Sequence, residues 1–305
     1  MDYDYDALVA LAAVVREGRF DAAAKSLNVT QSAVSQRIKH LEESVGSVLV
    51  VRGRPCVPTE AGLQFCRHVE QVSLLQHELS ERINAMSGGS DSSEATIRIS
   101  VNNDSLATWF PSVIKRAAGE LKVRFDILPA DQEDTEQNLV SGEALAVVTA
   151  NDQPVQGCRR ISLGSMDYFA VSSPEFYNAH FVEGVTLAAL AKAPCLAFDR
   201  SDTIQDQWMN LCFGEAAKSP THLVPSYEGY VACCLNGTAW GLVPGMAGLP
   251  LIENGQLIEL IPDRPVKVAL HWKTSTQSSE VLRRLGDIVS EEAMRQLQPD
   301  DFRLF

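Results

Sequence analysis

Long apolar runs are absent from this 305-residue chain. With no stretch of 18 uncharged apolar residues, no membrane-spanning helix is expected. The opening residues Met1-Asp2-Tyr3-Asp4-Tyr5-Asp6 are acidic, whereas a secretory signal needs a basic start followed by an apolar run, so none is expected. Cysteine is scarce and unpatterned: Cys56, Cys66, Cys158, Cys195, Cys212, Cys233 and Cys234 make an odd number with no C-x-x-C pair. Reduced core thiols in a cytoplasmic protein are therefore expected, and only the neighbours Cys233-Cys234 leave a redox role open. Enzyme signatures are missing too: no G-x-S-x-G, no G-x-G-x-x-G after a strand, no P-loop and no H-E-x-x-H. The six histidines, His40, His68, His77, His180, His222 and His271, have no repeatable metal-ligand spacing. No catalytic residue, metal or cofactor is expected. Basic charge is also short, with 26 Lys/Arg against 39 Asp/Glu and a net charge of -13. Taken whole, that figure argues against a nucleic-acid partner.

What is present is ordinary for a soluble globular protein: 45% hydrophobic and 21% charged residues. The length suits two domains, or one domain plus a small module. The sharpest break in composition is Met86-Ser87-Gly88-Gly89-Ser90-Asp91-Ser92-Ser93, a small, polar linker. Before it the apolar spacing is helical. One helix covers roughly residues 4–17, a second runs from Asp21 (a possible cap) to Leu27, and a third from Thr30 or Gln31 to about Ser44. After a strand-like Val48–Val51 and the basic turn Arg52-Gly53-Arg54-Pro55, a long fourth helix starts near Thr59. On it Phe65, Val69, Val72, Leu75, Leu79, Ile83 and Met86 form a pairing stripe. After the linker, strands (96–101, 123–128, 144–149, 168–171, 195–198, 237–244, 266–272) alternate with helices (about 105–118, 135–141 and 278–296). This predicts an α/β fold with a mostly parallel sheet covered on both faces.

The second and third helices, joined by the Asn28-Val29 turn, have helix-turn-helix spacing. The third helix gathers Thr30, Gln31, Ser32, Ser35, Gln36, Arg37 and Lys39, types that reach base edges and phosphates in a major groove. Arg52 and Arg54 add cations at a wing-like tip. The alternative is a solvated helix in an ordinary bundle. Local charge favours the reader: residues 16–54 hold seven Lys/Arg against four Asp/Glu, while residues 91–305 hold 17 against 28.

The run Phe20-Asp21-Ala22-Ala23-Ala24-Lys25-Ser26-Leu27 and then Thr30 through Glu42 resembles the N-terminal signature of LysR-type transcriptional regulators. So do Gly46 with Val48-Leu49-Val50-Val51-Arg52, and Pro58-Thr59-Glu60-Ala61-Gly62. The resemblance implies an all-α N-terminal part with a winged helix-turn-helix (residues 1–58) and a long linker helix with hinge (59–93). A two-lobed, periplasmic-binding-protein-like effector domain (94–305) would follow, with lobe I at about 94–165 and 268–303 and lobe II at about 166–267. It further implies a homodimer through the linker helix, with Phe65, Val69, Val72, Leu75, Leu79 and Ile83 as contacts, and commonly a tetramer. Double-stranded operator DNA and RNA polymerase would be its partners. Val101 through Phe110, Pro194 through Asp199, Ser226-Tyr227-Glu228-Gly229 and Gly237 through Pro244 are similar to the arginine- and lysine-responsive branch, the export and permease regulators. One departure is Ala130-Asp131, where that branch tends to carry an acidic pair.

A ligand in such a domain lies between the lobes, at strand ends and helix starts. At Asn102–Leu106, backbone N–H groups near Asn103 and the Ser105 hydroxyl can hold an α-carboxylate, and Thr149 can add a hydroxyl. The cationic groups of L-lysine or L-arginine need anions, for which Asp104, Asp131, Asp199, Asp202 and Glu228 are candidates. Asp104 as a helix cap, Asp199 as a turn residue and Glu228 as a solvated charge are the plainer readings. Trp109 and Tyr168 can wall the cleft or belong to the core. The functional expectation is an activator of a basic-amino-acid export gene. A regulator with another small-molecule effector, a ligand-independent architectural DNA-binding protein and a solute-binding protein of the same two-lobed fold remain rivals.

Overall fold

The computed structural model describes residues 3–87, 95–130, 132–141, 143–276 and 279–299. Most of the Gly/Ser-rich linker and Asp131 lie outside these. Helix α1 (Tyr5–Glu17) is capped by the Asp4 carboxylate, which accepts from the Asp6 N–H at 3.0 Å, and it ends at Gly18 in the left-handed region. Helices α2 (Phe20–Ser26) and α3 (Gln31–Val45) follow, then the hairpin β1 (Val50–Val51) and β2 (Val57–Pro58), then α4 (Glu60–Ser87). Helix α2 starts one residue before the sequence expectation. Its predicted cap, Asp21, sits inside the first turn and binds the Arg19 guanidinium at 2.7 Å instead. Thr59 caps α4 as expected, its Oγ1 accepting from the Gly62 N–H at 3.1 Å. Leu8, Leu11, Val14, Ala23, Val34, Ile38, Leu41 and Leu49 make one small core.

After the linker come β3 (Ala95–Asn102), α5 (Asn103–Ala107), α6 (Phe110–Leu121), β4 (Val123–Ala130), α7 (Gln132–Ser141) and β5 (Ala146–Thr149). The single helix expected over 105–118 is two. Pro111 lacks an N–H and crowds the carbonyl of Ala107, so the helix restarts at Phe110. Then follow β6 (Cys158–Ser172), α8 (Pro174–His180), α9 (Leu187–Leu190), β7 (Cys195–Ala197), α10 (Ile204–Phe213), β8 (Thr221–Leu223) and α11 (Tyr227–Leu235). The chain continues through β9 (Gly241–Pro244), α12 (Gly245–Glu253), β10 (Ile258–Glu259), β11 (Val266–Ser275) and α13 (Glu280–Gln296).

The main sheet runs β10-β6-β11-β5-β3-β4, with β9 also on β6. It is mixed, not mostly parallel: β3 is parallel to β4 and β5, whereas β11 is antiparallel to β5 and β6, and β6 to β9 and β10. Alternating strands and helices announced parallel pairing. The sequence pattern did not reveal that β6 and β11 are long strands that pair with each other over ten positions. Their ribbon shifts register between Leu270 and His271. Opposite lies Gly164 (φ 104°), where a Cβ would come within 2.5 Å of the Gln298 carbonyl oxygen. One half of the ribbon carries β5 and the other carries β9 and β10, so it joins two lobes. A large core with Trp109, Phe110, Trp208, Trp240 and Trp272 spans both.

The stripe on α4 divides between two surroundings. Phe65, Cys66 and Val69 belong to the small core, with Phe65 edge-on to Tyr3 at 5.1 Å. Leu74 joins the large core, and the buried His77 ring nitrogen donates to the Leu121 carbonyl at 3.2 Å. Val72 is half-buried. Leu75, Leu79, Ile83 and Met86 stand 55%, 59%, 53% and 89% exposed. This corrects the expected pairing surface: Phe65 and Val69 are spent inside their own chain.

Candidate functional site

Helix α3 buries Val34, Ile38 and Leu41 and turns its polar residues outward. Thr30 caps it, accepting from the Ala33 N–H at 3.2 Å, and lies 3.0 Å from the Ser32 hydroxyl. Gln31, Ser32, Gln36 and Lys39 are exposed and Ser35 is half-buried. Positions 32, 36 and 39 fall on one helical face. The Lys39–Glu43 pair at 3.6 Å is exposed on both sides, so it restrains the lysine little. Arg37 departs from the group: half-buried, it pairs with Asp6 of α1 at 3.2 Å and ties the two helices together. On the wing, Arg52 lies 5.0 Å over the Phe20 ring, and Arg54 is exposed in the turn. A convex face of short polar side chains flanked by cations has the shape and chemistry of a duplex reader.

The second feature is a cleft of about 540 Å³ between the ends of β3, β6, β11 and the starts of α10 and α11. Of the expected ligand residues, Asn103, Asp104, Tyr168, Asp199 and Asp202 line it. Four do not. Trp109 is fully buried and packs edge-on to Phe110 at 5.6 Å. Thr149 is fully buried, its hydroxyl accepting from the Asn151 N–H at 3.1 Å. Ser105 is buried behind the wall. Glu228 is exposed on α11, accepting from the Ser226 hydroxyl at 3.3 Å. Asp131 lies outside the described residues.

The three lining carboxylates are not equivalent. Asp199 Oδ1 accepts from the Ser201 N–H (2.6 Å), the Ser201 hydroxyl (2.7 Å) and the Asp202 N–H (3.0 Å). Asp202 accepts from the N–H groups of Phe198 (2.8 Å) and Ile204 (3.1 Å) and from the Gln205 amide (3.2 Å). Both build the turn into α10. Asp104 has a single described partner, the Tyr168 hydroxyl, which donates to Oδ2 at 2.6 Å. It is not the cap of α5. Burial holds its carboxyl above the usual range; the Tyr168 hydrogen bond opposes this and the Asp202 charge adds to it. Tyr227 is pushed up to about 12, chiefly by burial and then by the charges of Asp104 and Glu228. Beside them, Asn102 lines the cleft, and neither its buried Oδ1 nor the Ser105 Oγ behind it has a hydrogen-bond partner among the described residues. Lys267 of β11 is the one Lys or Arg among the lining residues.

Sequence reasoning placed ligand at the Asn102–Leu106 junction without singling out the Asn102 side chain, and missed Phe198, Tyr227 and Tyr230 as wall residues. A signal for the tyrosines was available. Ser226 caps α11 through the Gly229 N–H at 3.2 Å, and that phase turns Tyr227 and Tyr230, three apart, toward the cleft while Glu228 meets solvent. Tyr230 is pinned by donating to the Leu196 carbonyl (3.2 Å) and accepting from the Leu242 N–H (3.0 Å). A buried carboxylate with one open oxygen, ringed by hydroxyl-bearing aromatics, suits a small cationic ligand.

Among the described residues no His/Cys/Asp/Glu group has metal-holding geometry, and no helix is long and apolar enough to cross a membrane. The seven cysteines form no disulfide. Burial pushes the Cys234 thiol up to about 12, which disfavours the thiolate a redox role requires.

Residues 5–63 match the family model for bacterial regulatory helix-turn-helix proteins of the lysR family, and residues 90–294 match the LysR substrate binding domain. The chain is 41% identical over 286 residues to the HTH-type transcriptional regulator LysG of Mycobacterium tuberculosis, across 94% of this chain and 92% of that protein. Its structure is similar to crystalline ArgP from Mycobacterium tuberculosis (TM-score 0.79, 40% identity, 96% and 98% of the two chains). It is also similar to full-length LysG from Corynebacterium glutamicum with bound effector Arg (TM-score 0.69, 32% identity, 97% and 100%).

Proposed function

This chain belongs to the LysR family of bacterial helix-turn-helix transcriptional regulators, and from that premise we propose that it activates a basic-amino-acid export gene when L-lysine or L-arginine enters its cleft. Residues 1–58 would read a two-fold operator through Ser32, Gln36, Lys39 and the wing arginines, 59–93 would pair two copies, and 94–305 would hold the effector. The exposed Leu75, Leu79, Ile83 and Met86 support pairing, since a row of large apolar residues on one helix face favours a partner helix. Assembly into a tetramer and contact with RNA polymerase belong to the same reading.

The observation that carries the effector assignment is Asp104, whose Oδ1 takes no hydrogen bond from a described residue while Tyr168 holds the other oxygen. An ammonium or guanidinium would complete it. Among the cleft's described residues, three carboxylates against one lysine favour a ligand with surplus positive charge, and the arginine bound to the Corynebacterium relative is of that kind.

Calorimetry of the full chain with L-lysine, L-arginine and the uncharged citrulline tests this. The basic amino acids should bind at least about ten-fold more tightly than citrulline, and Asp104→Asn should lose that margin, since a charge-assisted hydrogen bond contributes about 1.5–3 kcal/mol. Equal weak heats for all three would refute the effector reading. A gel shift with the duplex upstream of its own gene tests the regulator: no shift at low salt, with or without lysine, would overturn it in favour of the solute-binding rival, whereas a shift with equal weak heats would favour the architectural one.

A further inference from the structure

We propose that Phe20 is a positioning residue for DNA binding, its ring holding the Arg52 guanidinium in place on the wing while leaving the hydrogen-bond donors of that guanidinium free. The proposal rests on the reading that Arg52 meets the DNA backbone.

The wing is a hairpin of two-residue strands, too short to hold its own shape. It leans on the turn between α1 and α2. The Cys56 N–H donates to the Gly18 carbonyl at 2.8 Å. Gly18 sits at φ 69°, and a Cβ there would come 3.1 Å from Pro55 Cβ, so Pro55 closes directly over it. Two residues on, Phe20 opens α2, the first helix of the helix-turn-helix, and packs half-buried against the small core. Arg52 lies over this anchored ring, 5.0 Å from its centre.

The neighbouring cations show why a ring matters. Arg16 pairs with Glu17, Arg19 with Asp21, Arg37 with Asp6 and Lys39 with Glu43. These carboxylates take up donors and offset charge, both of which a phosphate would need, although the exposed Lys39–Glu43 contact restrains its lysine little. Arg52 has no ion pair with a described carboxylate. The Phe20 ring attracts the guanidinium through its quadrupole without neutralising its charge, and a stacked guanidinium keeps its in-plane N–H groups available to a phosphate. Restraining a long side chain before binding lowers the entropy lost on binding. The wing arginine is thereby set relative to α2 and α3 at full charge.

A double-mutant cycle on the full chain tests the proposal, using fluorescence anisotropy with the duplex upstream of its own gene and a random-sequence duplex over a salt series. Arg52→Ala should weaken binding to both duplexes and lower the log–log salt slope by about one. Phe20→Leu should weaken both by roughly two- to five-fold, the scale of an exposed cation–π contact. In the Arg52→Ala background it should add nothing, and Phe20→Trp should bind as wild type does. Phe20→Met, which keeps the buried volume, replaces Phe20→Leu if thermal melting shows the latter unfolded. Equal losses in the presence and absence of Arg52 would assign Phe20 to the core alone and overturn the proposal. An unchanged salt slope in Arg52→Ala would instead overturn the wing reading beneath it.

Discussion

Glu70 lies on α4 between Val69, the last residue buried in the small core, and Leu74, the first buried in the large one. Its Oε2 is buried without a hydrogen-bond partner among the described residues. The charges that act on it are Arg98 of β3, itself bound to Asp126 of β4 at 2.7 Å, then Asp126, Arg16 of α1 and Glu143. Burial dominates and raises its carboxyl from 4.5 to about 7. The native chain therefore binds a proton that the unfolded chain does not across that window. Stability must fall as pH rises from about 4.5 to about 7, and the full penalty is present above that. The gap corresponds to about 3 kcal/mol as a ceiling, at about 1.4 kcal/mol per pH unit. Glu70→Gln keeps the shape and removes the charge. It should be near neutral at pH 5 and stabilising by about 1–3 kcal/mol at pH 8. Urea unfolding followed by tryptophan fluorescence suits the measurement, since all four tryptophans belong to the large core that Leu74 joins. Other carboxylates titrate alike in both proteins and cancel. If the difference between variant and wild type is the same at pH 5 and pH 8, the burial argument for Glu70 is refuted.

Three further outcomes are expected. Because burial raises Asp104 and a bound cation would hold it ionised, lysine affinity should increase with pH through its titration, with protons released on binding; calorimetry in buffers of different ionisation enthalpy would count them, and Asp104→Asn should abolish the pH dependence. Gln36→Ala should lower discrimination between operator and mutated sites by about 1–3 kcal/mol while sparing non-specific binding, as read from competition titrations. Leu79→Glu, on an exposed face, should leave the fold intact by circular dichroism and shift the sedimentation profile to smaller species; an unchanged profile would remove α4 from the assembly.

The reading face was largely legible because its determinants are local. Helix phase, the Thr30 cap and the Val34, Ile38 and Leu41 stripe place Ser32, Gln36 and Lys39 outward within one element. Arg37 shows the limit: it pairs with Asp6, 31 residues away, a partner of which its own helix gives no sign. In the cleft, Asp104 and Tyr168 were named separately, but their 2.6 Å hydrogen bond joins residues 64 apart. Thr149 was misplaced, and Trp109 was left open between cleft and core, because a hydroxyl or aromatic near a strand end carries no local sign of which side it faces.

Net charge states the division most plainly. The total of -13 pointed away from DNA, yet the order of residues alone separates a cationic segment at 16–54 from an acidic remainder, and the helical periodicity of the first 87 residues is likewise written in the chain. The mixed sheet, the split duties of α4 and the pairing of Asp104 with Tyr168 were decided only by tertiary structure. The sheet depends on partners distant in sequence, β6 meeting β11 more than 90 residues on, and Asp104 on Tyr168, 64 residues away, whereas Asp199 and Asp202 are held in their turn by donors within four residues.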